Sequence, residues 1–127
     1  MTNKKIPLFL LNESKINELE LLLKDPNADP SVYDNFAIRH AAKNGHLKIV
    51  ELLLKDSRVD PTADNNFAIR IAAVHYNYKI IKLLLNDLRV LNSLSFEIIK
   101  IYNLVEVLLR HFELNTEEEL EQYLKCI

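Results

Sequence analysis

The sequence predicts an all-α fold, a solenoid of stacked helix-turn-helix units. Glu20-Leu21-Leu22-Leu23-Lys24-Asp25 recurs letter for letter as Glu51-Leu52-Leu53-Leu54-Lys55-Asp56, 31 positions on. A third copy, Lys82-Leu83-Leu84-Leu85-Asn86-Asp87, follows after another 31. Aligned at that period, residues 29–59 and 60–90 agree at 17 of 31 positions. Apolar residues within each unit recur at helical spacing. A fixed period of this length belongs to a solenoid, in which each unit contacts only its neighbours.

Residues 1–28 read as a capping unit. Ile6 to Leu11 stands for its first helix, with Pro7 suited to a first turn, and Ile16 to Lys24 for its second. In the unit 29–59, Ala37 to Asn44 is a short helix whose small face is Ala41 and Ala42. Gly45, the single glycine of the chain, falls where this helix must stop. Glycine takes the left-handed conformation of a helix C-terminus at no steric cost. Leu47 to Lys55 is the second helix, with Leu47, Val50, Leu53 and Leu54 as its stripe, widened by Ile49 and Leu52. Asp56 to Asn66 is mostly polar, carries Pro61, and reads as a short connecting finger.

The unit 60–90 repeats this plan, with Tyr76 in the place of Gly45. A bulky residue at positive φ is an outlier, so the expected stop shifts to Asn77, which tolerates that region. Tyr102-Asn103 offers the same solution one unit later. Residues 91–112 form a C-terminal unit without a full finger. Ile98 and Ile99 replace its inner Ala pair, a bulk that fits if no further unit stacks on them. Thr116-Glu117-Glu118-Glu119 starts a terminal helix over 115–127. Leu120, Leu124 and Ile127 give it a docking stripe, with Tyr123 beside it.

The run Phe36-Ala-Ile-Arg-His-Ala-Ala-Lys-Asn-Gly-His-Leu-Lys-Ile-Val-Glu-Leu-Leu-Leu54 resembles the ankyrin repeat, whose consensus reads T-P-L-H-x-A-A-x-x-G-H-x-x-I-V-x-L-L-L. The similarity extends over residues 6–112. It implies that the whole chain is one ankyrin-like solenoid domain with short fingers and a C-terminal capping helix. Two departures stand out. The period is 31, against about 33 in the family. Phe-Ala-Ile-Arg replaces T-P-L-H in both good copies, so Arg39 and Arg70 must find acceptors other than the family's. The expected ones are an Asp or a carbonyl in the adjacent finger, such as Asp64.

Composition narrows the chemistry. Residues 1–105 hold 14 basic and 12 acidic side chains, and residues 106–127 hold 2 and 6. Neither balance suggests a nucleic-acid surface. No apolar run approaches the roughly 18 residues of a membrane span. The single cysteine, Cys126, excludes an internal disulfide and fits a reducing, cytoplasmic setting. The four histidines, His40, His46, His75 and His111, lack zinc-site spacing. Asp60-x-Thr62-x-Asp64 begins like a calcium loop, but Asn65 and Ile71 stand where Gly and Glu are needed. One glycine rules out a phosphate loop. No enzyme, cofactor or metal is expected.

The resemblance implies a binding module for another protein, on the concave face made by the fingers and first helices. Carried over position by position, its surface slots are Tyr33, Asp34 and Asn35 on one finger and Asp64, Asn65 and Asn66 on the next. On the first helices they are Lys43 with Asn44, and Val74 with His75. Tyr33 at its finger tip has two readings, an interface anchor, since aromatic residues are over-represented in binding hot spots, or a tip residue folded onto its own finger. Two other roles fit the same sequence. The acidic terminal helix could recruit a second protein, making the chain an adaptor. The apolar ends could drive self-assembly. The chain is expected as a monomer or a weakly self-associating one.

Overall fold

The computed structural model describes residues 4–101 and 104–126. Among them are nine α-helices and one pair of two-residue strands. β1 (Lys4–Lys5) lies parallel to β2 (Ala28–Asp29). Between them, Leu8–Leu10 and Glu13–Lys15 are 3-10 turns and Ile16–Leu23 is α1. The first unit therefore has a single 3-10 turn in place of the expected first helix, with Pro7 at its N-cap.

Two full units follow. The first pairs α2 (Val32–Lys43) with α3 (Leu47–Leu54), and the second pairs α4 (Ala63–Val74) with α5 (Tyr78–Leu85). Like helices stack, α2 on α4 and α3 on α5. Ala37, Ala41 and Ala42 on α2, and Ala68 and Ala72 on α4, are buried in this contact layer. Small side chains there let the first helices approach closely. The second helices supply the bulk: Ile49, Val50 and Leu53 on α3, and Ile80, Ile81, Leu84 and Leu85 on α5. The hydrophobic layer is continuous from Ile6 to Leu120.

Helix ends repeat with the period. Gly45 (φ 72°) ends α2, with Gly45 N–H donating to Ala42 O and His46 N–H to Ala41 O. These are the paired bonds of a left-handed helix stop. In the next unit Tyr76 N–H donates to Ala73 O and Asn77 N–H to Ala72 O, and Tyr76 sits at φ 53°. The expected shift of the stop to Asn77 is therefore wrong. Asn77 (φ −84°) is instead the N-cap of α5, where its side chain accepts from Ile80 N–H at 3.3 Å. The cap holds Asn77 in place and leaves the strain on Tyr76. Tyr102 and Asn103 lie outside the described residues.

Tyr76 is exposed, so removing its ring loses little packing. Left-handed geometry costs a non-glycine residue about 1–2 kcal/mol, and glycine returns about 0.5–1 kcal/mol of that as unfolded-state freedom. Tyr76→Gly is accordingly expected to stabilise by about 0.5–1 kcal/mol. A thermal melt checks it: the midpoint should rise by about 2–4 °C, and a fall would mean that the ring holds more than the backbone loses.

The C-terminal end departs from the repeat. Residues 88–93, where a finger would begin, form helix α6 (Leu88–Ser93), capped by the Asp87 side chain at Arg89 N–H. Then come α7 (Phe96–Ile101), α8 (Val105–His111) and α9 (Glu117–Lys125). Thr116 caps α9, its hydroxyl accepting from Glu119 N–H at 3.2 Å, while the Glu119 carboxylate reaches back to Asn115 N–H at 2.8 Å. α9 packs on α7 and α8. Ile99, on α7, is fully buried, and the element packed on α7 is the terminal helix expected here, not a further repeat unit. The terminal helix covers that unit, and Phe112 and Tyr123 meet ring to ring at 4.4 Å.

Candidate interaction site

The fingers are not hairpins. Each is a compact turn whose backbone winds left-handed. Asp29 accepts from the N–H and hydroxyl of Ser31, and Asp60 does the same for Thr62. This gives Asp60 a structural role in the segment that begins like a calcium loop. Beyond it, Tyr33, Asp34 and Asn35 have φ of 54°, 54° and 58°, and Asp64, Asn65 and Asn66 have 56°, 53° and 60°. Three such residues in a row make nearly a full left-handed turn. Asn and Asp tolerate this region through local hydrogen bonding, but Tyr33 has no such help of its own.

Arg39 and Arg70 supply it. Arg39 donates from Nε to Asp34 O and from a terminal nitrogen to Tyr33 O, both at 2.9 Å. Arg70 donates in the same way to Asn65 O at 2.9 Å and Asp64 O at 3.0 Å. The guanidinium fork thus closes the turn by binding its outward carbonyls. Arg39 also lies 3.8 Å from the Asp64 carboxylate, linking one turn to the next. The expected structural role of these arginines holds. Phe36, Arg39, Phe67 and Arg70 alternate along the face, with guanidinium-to-ring distances of 5.6–5.9 Å. In the sequence that alternation is visible only as identity between the two units.

Eight of the ten expected contact residues are exposed: Tyr33, Asp34, Lys43, Asn44, Asp64, Asn65, Val74 and His75. They fall in two rows. Tyr33, Asp34, Asp64 and Asn65 lie on the left-handed turns, and the other four at the C-terminal ends of α2 and α4. The remaining two are not surface residues. Asn35 is 8% exposed and Asn66 5%. The Asn35 side-chain oxygen accepts from Asp60 N–H at 2.7 Å, and Asn66 exchanges hydrogen bonds with Ser93. Their identity in both units reflects a bridge to the following unit.

Beside Tyr33, which is 70% exposed, lies an apolar cleft of about 290 Å³. Leu8, Pro30, Val32 and Phe36 line it, with the Lys5 ammonium 5.7 Å above the Tyr33 ring. Sequence reasoning misses Lys5, Leu8 and Phe36 here, because the cleft forms only where the first unit meets α2. It also misses a second arginine pair. Arg58 is clamped to Asp56 at 2.7 and 2.9 Å and donates to Leu23 O (2.8 Å), Asp25 O (3.3 Å) and Ala28 O. Arg89 repeats this with Asp87, Val59 O and Leu54 O. These hydrogen bonds hold the Asp56 and Asp87 carboxyls below the usual carboxylate range. Burial holds His40 and His111 below the usual imidazole range. Among the described residues no group of three His, Cys, Asp or Glu side chains gathers as a metal site would.

A family model for ankyrin repeats (3 copies) matches residues 8–93. The chain belongs to the ankyrin-repeat family. No curated protein and no solved structure matches it. Ankyrin repeats generally mediate protein–protein interaction and are typically not enzymes. In this ankyrin chain the match ends with α6, so α7 to α9 lie beyond it. No helix among the described residues is long and apolar enough to cross a membrane.

Proposed function

We propose that the chain binds another protein on the face formed by the left-handed turns and the first helices, with Tyr33 as the anchor. The observation that carries this is an exposed aromatic ring beside an apolar cleft. Large rings next to desolvated pockets are where binding energy concentrates. Asp34, Asp64 and Asn65 form the polar rim at that end, and Lys43, Asn44, Val74 and His75 continue the surface along α2 and α4. The arginine-closed turns keep the face rigid, which lowers the ordering cost of association.

Tyr33→Ala combined with Val74→Ser and His75→Ala is expected to weaken partner binding at least about tenfold, or 1.4 kcal/mol. Stability should move by no more than about 0.5 kcal/mol, since all three side chains are exposed. The measurement is a titration of the partner isolated by affinity capture on the native chain. A triple change on the second helices, Lys48→Ala, Glu51→Ala and Lys55→Ala, is the control. Binding lost only in the control would assign the site to the opposite face.

A further inference from the structure

A second apolar cleft, of about 280 Å³, lies between α5 and α8. None of its lining residues belongs to the left-handed turns or the first helices. It opens where the stack loses its regularity. α5 packs closely on α3 but only loosely on α8. Arg110, near the end of α8, lies 5.6 Å from the ring of Tyr78, the first residue of α5. α8 therefore meets the start of α5 with its own end, and the two helices leave a gap. Ile81 and Val107 line that gap together with the Tyr78 ring, and Lys82, Arg110, His111 and Glu113 surround them. The charge there is uneven. α5 carries Lys79 and Lys82 and no acidic residue. Arg110 pairs with Glu106 at 3.3 Å, but the two side chains are 66% and 83% exposed, and such a pair is weak. Burial first, and the Lys82 charge second, hold His111 below the usual imidazole range, so it is neutral at physiological pH. Glu113 is the one carboxylate among the lining residues.

We propose that this cleft is a second protein-binding site, and that it takes an acidic peptide segment bearing one large apolar side chain. The apolar side chain enters between Ile81, Val107 and Tyr78, and flanking carboxylates meet Lys82 and Arg110. Size selects a segment of a protein over a small molecule. The cleft is smaller than the roughly 300–1,000 Å³ of small-molecule sites, which suits a single side chain of a larger partner. Charge selects the acidic flank. An uncharged occupant would strip water from two cations and return nothing, and a basic one would be repelled by them. Tyr78 and Arg110 are also of the residue types at which binding energy concentrates. One pocket with an ionic rim gives modest affinity, a dissociation constant on the order of 0.1–1 mM for a short peptide.

Amide spectra of the isotope-labelled whole chain, titrated with three synthetic pentapeptides, test this. Each peptide has a central phenylalanine, flanked on both sides by glutamates, by glutamines or by lysines. The glutamate peptide should shift signals of α5 and α8 and approach saturation by roughly 5 mM. The glutamine and lysine peptides should bind at least about fivefold more weakly. Lys82→Glu with Arg110→Glu should weaken the glutamate peptide at least about tenfold and admit the lysine peptide, with helical circular dichroism unchanged. If that double variant loses helicity, Arg110→Gln alone replaces it and should still weaken binding about threefold. Tyr33→Ala should bind the glutamate peptide like the native chain, which separates this site from the one on the turns. No shift over the whole titration overturns the proposal. So do equal binding of the glutamine peptide, shifts confined to the turns, or an oligothymidylate that binds the same residues more tightly than the glutamate peptide.

Discussion

Leu120→Ala is expected to destabilise the chain by about 3 kcal/mol, within the 2–5 kcal/mol range of large-to-small changes at fully buried leucines. Leu120 has no exposed surface, and it is the buried residue through which α9 meets the body of the stack. Ile99, Leu104 and Leu108, all fully buried, belong to the unit that α9 covers. Loss of the leucine side chain opens a cavity against that unit and loosens the helix above it. Urea titration followed by helical circular dichroism reads the loss, and amide exchange should quicken first in α7 and α9. Glu118→Ala on the outer side of α9 should stay within about 0.5 kcal/mol. A similarly small effect at Leu120 would show that α9 is an appendage and not a cap.

Arg58→Ala is expected to cost about 2–3 kcal/mol. Hydrogen bonds from a charged group contribute about 1.5–3 kcal/mol when their partners are left unsatisfied, and here the carbonyls of Leu23, Asp25 and Ala28 lose their donor together. Partial exposure of the guanidinium lets water replace some of that, which keeps the figure below a full sum. Arg58→Lys should recover little, because one ammonium lacks the planar fork that reaches Asp56 and the carbonyls at once. Lys55→Ala is the comparison. Its exposed pair with Glu51, at 3.9 Å, should be worth less than about 1 kcal/mol. There is also an acid signature. Asp56 is held below its usual range, so its contribution is present above about pH 4 and is lost as pH falls through the folded-state value. That loss should shrink in Arg58→Ala, which removes the cause of the shift.

The repeat is legible in the sequence because it rests on local chemistry written twice. The leucine stripes, the Ala41-Ala42 face, the Gly45 stop and the Thr116 cap each follow from one residue's own preferences. The misses share a different origin. Tyr76 takes a conformation that its side chain disfavours, because Asn77 is committed to capping α5 and the unit before fixes the register. Tyr33 lies in a left-handed turn because Arg39, six residues later, binds its carbonyl. Asn35 and Asn66 fall in surface slots of the ankyrin pattern, yet their partners come from the following segment. Helix α6 falls where the repeat ends, so the period holds no information about it. The candidate site is legible as a row of exposed positions. The cleft beside Tyr33 is not, since Lys5 and Leu8 reach it only once the first unit has folded.

The arginine clamps all point backward along the chain, Arg58 to the first unit and Arg89 to the second. This gives synthesis a direction. As the chain leaves the ribosome, at about 5–20 residues per second, the carbonyls of Leu23, Asp25 and Ala28 emerge before the donor that will bind them. The first unit waits through roughly thirty more residues, a few seconds at that rate, until Arg58 appears. Each unit is thus completed by its successor, and the last clamp closes only when Arg89 is made. The nascent chain locks from behind its leading end, one period in arrears.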